Sequence, residues 1–201
     1  GVQTCALPIL GWQGGRVRVN LALPGAHNVS NALAAFAAGL ELGLTPQKIV
    51  RGLETAKGEE RRLQAFDIQR ITVIDDSYNA NPDSTARALE LLGRYPVNRR
   101  KVAFLGSMLE LGAIAREKHE FIGAVAVENN VRLLVAVGEN AEDIRRGAVA
   151  AGMNGSIITW ANSEEALGSL ELLKLDDVVL VKGSLGVKMD RVVQELKSGG
   201  Q

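Results

Sequence analysis

Carboxylates, amides and hydroxyls are concentrated in residues 75–84 (DDSYNANPDS), which directly follow an apolar run at residues 71–74. Carboxylates accept hydrogen bonds and asparagine both donates and accepts, so such a segment suits a charged or peptide-like ligand. Polar groups at the carboxyl end of a buried strand are typical of a ligand crevice in an open α/β sheet. The alternative is a turn in which Ser77 or Asn81 caps the next helix and the acids are solvated.

Two further clusters follow apolar runs in the same way. Residues 107–112 (SMLELG) come after the run at 101–105, and residues 182–188 (KGSLGVK) come after the run at 178–181. The second cluster is a glycine loop between a strand and a helix, which exposes backbone N–H groups that can bind a carboxylate. The alternative is a loop without a ligand.

Residues 25–31 (GAHNVSN) occupy a predicted turn from a strand into a helix. Asn28 and Asn31 are three residues apart and therefore share a helix face, where their amides could pair with an adenine edge. Alternatively, Asn28 is a helix cap and His27 a surface imidazole. The charged segment at residues 57–62 (KGEERR) indicates a linker or hinge between two apolar patterns.

The elements that must position these clusters alternate regularly after the hinge. Strands are predicted at residues 71–74, 101–105, 131–137, 156–159 and 178–181, and helices at 84–92, 116–129, 141–151, 163–172 and 188–196. This alternation predicts an α/β fold with a mainly parallel sheet. Before the hinge, a strand is predicted at 14–23 and helices at 28–40 and 47–55, the second starting at Thr45 and Pro46.

The segment DDSYNANPDS resembles the signature of the Mur ligase family, in the members that join D-alanyl-D-alanine to UDP-N-acetylmuramoyl-tripeptide. Residues 25–35 resemble the family element G-x-H-N-x-x-N-A-L-A-A. Residues 106–112 resemble G-[DE]-M-x-E-L-G with Ser107 in place of the acid, and residues 182–185 resemble K-G-S-R with Leu185 in place of the arginine. Family members that add one amino acid have shorter motifs after the aspartate, so the resemblance favours the dipeptide.

The resemblance implies a domain organisation. Residues 61–201 are expected to form a Rossmann-like C-terminal domain, and residues 10–60 the C-terminal end of an ATP-binding central domain. Residues 1–9 resemble translated sequencing adaptor and are interpreted as a probable non-native leader, with a short natural edge strand as the alternative.

The resemblance also implies roles for individual residues. Near the adenine and ribose we expect His27, Asn28 and Asn31. Arg62 and Asp76 are expected to contact the nucleotide and to be catalytic, with Arg61, which replaces the usual glycine, as the alternative to Arg62. The residues expected to face the incoming dipeptide are Tyr78, Asn79, Asn81, Glu110, Lys182 and Ser184. His119 matches a family histidine but is expected to be structural.

Charge and hydropathy limit the partners. Lys plus Arg equal Asp plus Glu at 23 each, without a basic block, so the sequence predicts small-molecule substrates rather than nucleic acid. No apolar run of membrane-spanning length and no signal peptide is present, which predicts a cytoplasmic location; a monomer is expected.

ATP and Mg²⁺ are expected as cofactors, bound mainly by parts of the enzyme missing from this sequence. The 201 residues contain no G-x-x-x-x-G-K-[ST] phosphate loop, so we expect this chain alone to be inactive, and no metal ligand is assigned within it. The alternatives are another amino-acid ligase of this family and a freestanding Rossmann-like nucleotide-binding module. No G-x-G-x-x-G follows the first strand, which disfavours the module.

Overall fold

The structure is a computed structural model that describes residues 7–23, 26–56 and 61–199, without the side chains of residues 26 and 27. The chain divides into two compact units, residues 1–59 and 60–201. Most of the predicted leader, and residues 57–60 of the predicted hinge, lie outside the described residues.

The first unit contains a β-hairpin and two helices, β1 (Ile9–Trp12), β2 (Gly15–Arg18), α1 (Ala26–Glu41) and α2 (Pro46–Glu54). The predicted start of α2 is confirmed: Thr45 Oγ1 accepts a hydrogen bond from Lys48 N at 3.4 Å, and Pro46 is the first helical residue. The helices pack on the hairpin through a small core of Leu10, Val19, Leu21, Ala32, Phe36 and Ile49.

The strand predicted over residues 14–23 is shorter in the structure. Its pairing with β1 ends where Arg18 lies opposite Ile9, because the partner strand stops there. Val19 N then donates a hydrogen bond to Pro8 O at 3.0 Å. Pro8 and Ile9, which the sequence assigned to the leader, therefore take part in this hairpin.

The second unit is built on one six-stranded sheet. Its strands are β3 (Gln64–Ile68), β4 (Ile71–Asp76), β5 (Lys101–Gly106), β6 (Val131–Val137), β7 (Ser156–Trp160) and β8 (Val178–Lys182). Their order is β3-β4-β8-β5-β6-β7, and every neighbouring pair is parallel except β3 with β4. The predicted mainly parallel α/β sheet is confirmed, and β3, the antiparallel edge strand, was not predicted.

The helices of this unit are α3 (Pro82–Gly93), α4 (Ala115–Glu128), α5 (Ala141–Ala150) and α6 (Asp190–Ser198). Right-handed connections in one direction from β4 to β7 put α3, α4 and α5 on one face. The return to β8 passes through 165–172, which packs with α6 on the other face against Phe104, Val135 and Val181. Residues 165–172 form 3₁₀ turns instead of the predicted α-helix, and Gly168 in their middle weakens α-helix formation.

The strand order determines where a ligand can bind. The chain crosses from β4 through α3 to β5 and leaves a space that β8 fills later. Ligands of open α/β sheets bind outside the carboxyl ends of the strands, at such a switch in strand order. The three polar clusters that follow β4, β5 and β8 all start at this place.

Candidate functional site at the carboxyl ends of β4, β5 and β8

Three loops meet at the carboxyl edge of the sheet, and we call them the β4 loop (residues 77–81), the β5 loop (107–112) and the β8 loop (183–187). The hydroxyl of Ser184, which is 4% exposed, joins all three. Ser184 Oγ accepts a hydrogen bond from Leu109 N at 2.9 Å and donates to Ala80 O at 3.4 Å. Ser184, which we expected to contact substrate, therefore holds the loops together.

A buried ion pair lies under the β4 loop. Lys182 Nζ contacts Asp76 Oδ2 at 2.5 Å and donates a second hydrogen bond to Asn79 O at 2.9 Å. The other carboxylate oxygen, Asp76 Oδ1, accepts from Leu63 N at 3.0 Å. The Lys182 side chain is 2% exposed and that of Asp76 is 11% exposed. The two residues predicted to face separate ligands are thus bonded to each other.

Burial dominates the electrostatics of this pair. It raises the pKa of the Asp76 carboxyl, and the attraction of Lys182 offsets only part of that effect. Burial also lowers the pKa of the Lys182 ammonium; Asp76 opposes the shift, and nearby Arg62 adds to it. A buried pair of this kind contributes little net stability, but the loss of one partner leaves an uncompensated charge.

The β4 loop satisfies many of its own polar groups. Ser77 bonds through N and Oγ to Asp75 Oδ1, so Asp75 and Asp76 have separate partners, as strand alternation requires. Asn81 caps α3, with Oδ1 accepting from Ser84 N at 2.8 Å in a capping box. The capping role that the sequence left open for Asn81 is therefore present, and Asn81 is also exposed to solvent.

Tyr78 and Asn79 are, like Asn81, exposed side chains of this loop. The Asn79 side-chain oxygen accepts from Ala80 N at 2.9 Å, which orients its amide. The Tyr78 ring packs against the guanidinium groups of Arg62 and Arg61, whose Cζ atoms are 4.5 Å and 5.7 Å from the ring centroid. Aromatic, amide and guanidinium groups thus share one solvent-facing surface.

Residues 61–63, at the end of the predicted hinge (57–62) and just after it, have an unusual backbone. Arg61 and Leu63 adopt φ angles of +60° and +49°, a left-handed conformation that costs a non-glycine residue about 1–2 kcal/mol. Tyr78 N donates to Arg61 O at 3.1 Å, and Arg61 Nη1 forms an ion pair with Asp190 Oδ2 at 3.3 Å. Arg61 is therefore anchored to α6, whereas Arg62 is exposed and stacked on Tyr78.

The β5 loop is fixed by His119, which is completely buried. Met108 N donates to His119 Nε2 at 2.8 Å, and Nδ1 lies 2.6 Å from Ala115 O, so the ring is neutral with its hydrogen on Nδ1. The expected structural role of His119 is confirmed. Glu110, predicted to face the dipeptide, is exposed at the tip of the loop with φ of +67°.

Ser107, which stands where the family motif has an acid, is not a surface group. It is fully buried, and its hydroxyl donates to Val137 O at 3.3 Å and accepts from Asn140 N at 3.0 Å. Leu185, in the position of the family's arginine, is 53% exposed at the rim of the β8 loop. The two departures therefore remove one carboxylate and one guanidinium from this edge.

The neutral His119 predicts a pH-dependent stability. Burial lowers the pKa of His119, against weaker opposing effects of its bond to Ala115 and of Asp143 and Glu139. Because the folded-state pKa lies below the unfolded value of about 6.5, stability is complete above that pH and falls as the pH decreases through it, by at most about 1.4 kcal/mol per unit.

We expect His119→Gln to remove this pH-dependent part, and His27→Gln serves as the control with the same chemical change. The measurement is urea unfolding of each variant at pH 7.5 and pH 5.5. If His119→Gln loses as much stability between these pH values as the control does, the assigned neutral state is wrong.

In the first unit, the structure describes the side chains of two of the three residues predicted to bind the nucleotide, Asn28 and Asn31. Asn31 Nδ2 lies 3.5 Å from Asn28 Oδ1 on one face of α1, as their spacing predicts. The side chain of His27 lies outside the described residues. The next turns of α1 pack through Ala32 and Phe36 into the core of this unit.

The structure brings together most of the predicted residues of the second unit: Arg62, Asp76, Tyr78, Asn79, Asn81, Lys182 and Ser184. Sequence reasoning missed two contributors to this edge, the amide of Leu63 and the carboxylate of Asp190. The first is a backbone group, which carries no side-chain signal, and the second lies more than a hundred residues from its partner.

Residues 7–23, 26–56 and 61–199 contain no group of three or more His, Cys, Asp or Glu side chains that could hold a metal ion. Within the same ranges, no helix has both the length and the apolar character needed to cross a bilayer.

Comparison with known proteins gives a consistent assignment. Residues 61–185 match the model of the Mur ligase, glutamate ligase domain. Relatives named UDP-N-acetylmuramoyl-tripeptide–D-alanyl-D-alanine ligase include those of Mycobacterium leprae (35% identical) and Escherichia coli (34% identical); each alignment covers 92% of this chain and 40% of the relative. MurF of Acinetobacter baumannii has a similar solved structure, with 32% identity, a TM-score of 0.85 and coverage of 97% of this chain and 43% of that one. The chain thus spans about two fifths of these relatives.

Proposed function

Because this chain belongs to the Mur ligase family, we propose that it is the C-terminal part of an ATP-dependent ligase that adds D-alanyl-D-alanine to UDP-N-acetylmuramoyl-tripeptide. In this reaction the tripeptide carboxylate takes the γ-phosphoryl group of ATP, and the dipeptide amine then displaces phosphate from the acyl phosphate. The product is a precursor of peptidoglycan. A cytoplasmic location and a monomeric state remain predictions that accompany this proposal.

The observation that supports the dipeptide most directly is the position of the DDSYNANPDS segment. Its β4 loop lies at the switch in strand order, and the exposed Tyr78 and Asn79 face solvent there. A dipeptide has one more peptide group than a single amino acid and therefore needs additional amide partners. We propose Tyr78, Asn79, Asn81 and Glu110 as the groups nearest the dipeptide.

On the nucleotide side, we propose that Arg62 contacts the ATP phosphates, since a guanidinium keeps its charge and binds phosphate through parallel donors. His27, Asn28 and Asn31 remain the candidates for adenine and ribose. Asp76 acts here as the partner of Lys182, so its effect on the nucleotide would be exerted through the hinge residues. Mg²⁺ is expected with ATP, and we assign it no ligand in this chain.

Two alternatives remain distinguishable by experiment. A ligase for a single amino acid is disfavoured by the length of the β4 loop and by the names of the relatives. A freestanding nucleotide-binding module would bind ATP without any preference for a dipeptide. Titration of the ¹⁵N-labelled chain with D-alanyl-D-alanine, D-alanine and ATP separates these two alternatives from the dipeptide ligase. Only the dipeptide ligase requires dipeptide-induced shifts in the β4 loop.

We expect Asn79→Ala to weaken D-alanyl-D-alanine binding about tenfold, because an unpaired polar group costs about 1–3 kcal/mol. The measurement is the dissociation constant from the same titration. Asn154→Ala, at an exposed asparagine outside the three loops, is the control and should bind as the wild type does.

Asn81 needs a variant that preserves its cap. Asn81→Ala removes the cap of α3 and should cost about 1 kcal/mol of stability by itself, whereas Asn81→Ser retains a capping oxygen. If Asn79→Ala and Asn81→Ser both bind the dipeptide as tightly as the control, the asparagines are not substrate groups and the loop has only its structural role.

A further inference from the structure

The Lys182 ammonium has an unusual position for a predicted substrate group. Its side chain is 2% exposed, and its two bonds reach Asp76 on β4 and the carbonyl of Asn79 in the β4 loop. A ligand outside the loops could reach this nitrogen only if the loop moved away. Lys182 is therefore bonded to two groups, the Asp76 carboxylate and the Asn79 carbonyl, through which it can fix residues that are predicted to face ligands.

The carboxylate of Asp76 extends this connection to the hinge. Asp76 Oδ2 contacts Lys182, and Asp76 Oδ1 accepts from Leu63 N. Leu63 and Arg61 have left-handed backbones, which non-glycine residues maintain only when surrounding contacts compensate for the cost. The compensating contacts include the Asp76 bond to Leu63 N and the bond from Tyr78 N to Arg61 O.

We propose that Lys182 is a positioning residue: through Asp76 it fixes the backbone of residues 61–63, and through the Asn79 carbonyl it fixes the β4 loop. Arg62 lies between the two left-handed residues, so this backbone directs its guanidinium over the Tyr78 ring. Lys182 thereby sets the relative position of Arg62 and of Tyr78 and Asn79. The inference rests on the proposed function only for the identity of the ligands that these side chains meet.

The test is site-resolved hydrogen exchange of the ¹⁵N-labelled chain without ligand. The amides of Leu63 and Tyr78 report directly on the hinge, because their partners are Asp76 Oδ1 and Arg61 O. The amide of Ser107, the first residue of the β5 loop, is bonded to Val137 O of β6 at 2.8 Å and serves as the reference amide outside residues 61–63 and the β4 loop. We expect Lys182→Met, which keeps an unbranched side chain one atom shorter and without the ammonium, to lower protection at Leu63 and Tyr78 about tenfold more than at Ser107.

Two companion variants separate positioning from general destabilisation. Lys188→Met makes the same chemical change at an exposed residue six positions further along and should leave all three amides unchanged. Lys182→Met/Asp76→Asn removes both buried charges but retains an acceptor for Leu63 N. It should restore the protection of Leu63 and the midpoint of unfolding towards wild-type values.

Two results would overturn the proposal. One is an equal loss of protection at Leu63, Tyr78 and Ser107 in Lys182→Met, which would mean that Lys182 only stabilises the fold. The other is unchanged protection together with weaker D-alanyl-D-alanine binding, which would make Lys182 a direct ligand contact. If the wild-type chain binds no dipeptide, the proposed function fails, but the exchange results still decide the role of Lys182.

Discussion

Replacing Asp76 by alanine is expected to destabilise the second unit by about 3–5 kcal/mol, because it leaves the buried Lys182 ammonium without its carboxylate. The substitution also removes the acceptor of Leu63 N, a second buried bond. Urea unfolding of the 201-residue chain measures the change. This expectation differs from that of the sequence alone, from which Asp76 was expected to contact the nucleotide and to be catalytic.

Two variants control for this result. Asp76→Asn keeps an oxygen for Leu63 N and should therefore destabilise less than alanine does. Asp83→Ala removes an exposed acid in the first turn of α3 and should cost less than about 1 kcal/mol. If Asp76→Ala unfolds at the same urea concentration as Asp83→Ala, the ion pair does not exist in solution.

Arg62→Ala is expected to have the opposite profile, with a large loss of activity and little loss of stability. Its measurement requires a hybrid ligase, in which residues 14–199 replace the matching segment of Acinetobacter baumannii MurF. A lost contact between the guanidinium and the ATP phosphates should cost about 2–3 kcal/mol, or roughly 30-fold or more in kcat/KM for ATP. The stacking of Arg62 on Tyr78 should contribute no more than about 1 kcal/mol to folding.

Arg61→Ala is the matched variant, because Arg61 is one residue away and is paired with Asp190. We expect it to reduce kcat/KM for ATP less than Arg62→Ala does. If the larger kinetic loss occurs in Arg61→Ala, the sequence-based alternative is right and Arg61 is the nucleotide arginine.

The sequence predicts the fold well where local patterns determine it. Apolar runs and helix starts locate five of the six strands in the second unit. The antiparallel β3 was not predicted, because Gln64 and Asp67 leave it without a continuous apolar run. The separate partners of Asp75 and Asp76 follow from the alternation of side chains along a strand. Local pattern also indicated that Asn81 could cap α3.

The role of Lys182 could not be predicted, because it depends on strand order. Lys182 meets Asp76 only because β8, the last strand in the chain, enters the sheet between β4 and β5. Residues 76 and 182 are 106 positions apart, and no local pattern reports that they are neighbours. Residues that the motif resemblance assigned to a site meet at one edge of the sheet, but two of the predicted ligand groups, Asp76 and Lys182, are buried and bonded to each other.

The proposed activity is tested most directly by product formation in the hybrid ligase. With ATP, Mg²⁺ and UDP-N-acetylmuramoyl-tripeptide, the proposal predicts that D-alanyl-D-alanine is joined to the tripeptide and that D-alanine alone is not. The readout is the mass of the UDP-linked product, with the unaltered Acinetobacter baumannii enzyme as the reference. A folded hybrid that joins the single amino acid instead, or that joins neither, would contradict the assignment of this chain to a D-alanyl-D-alanine ligase.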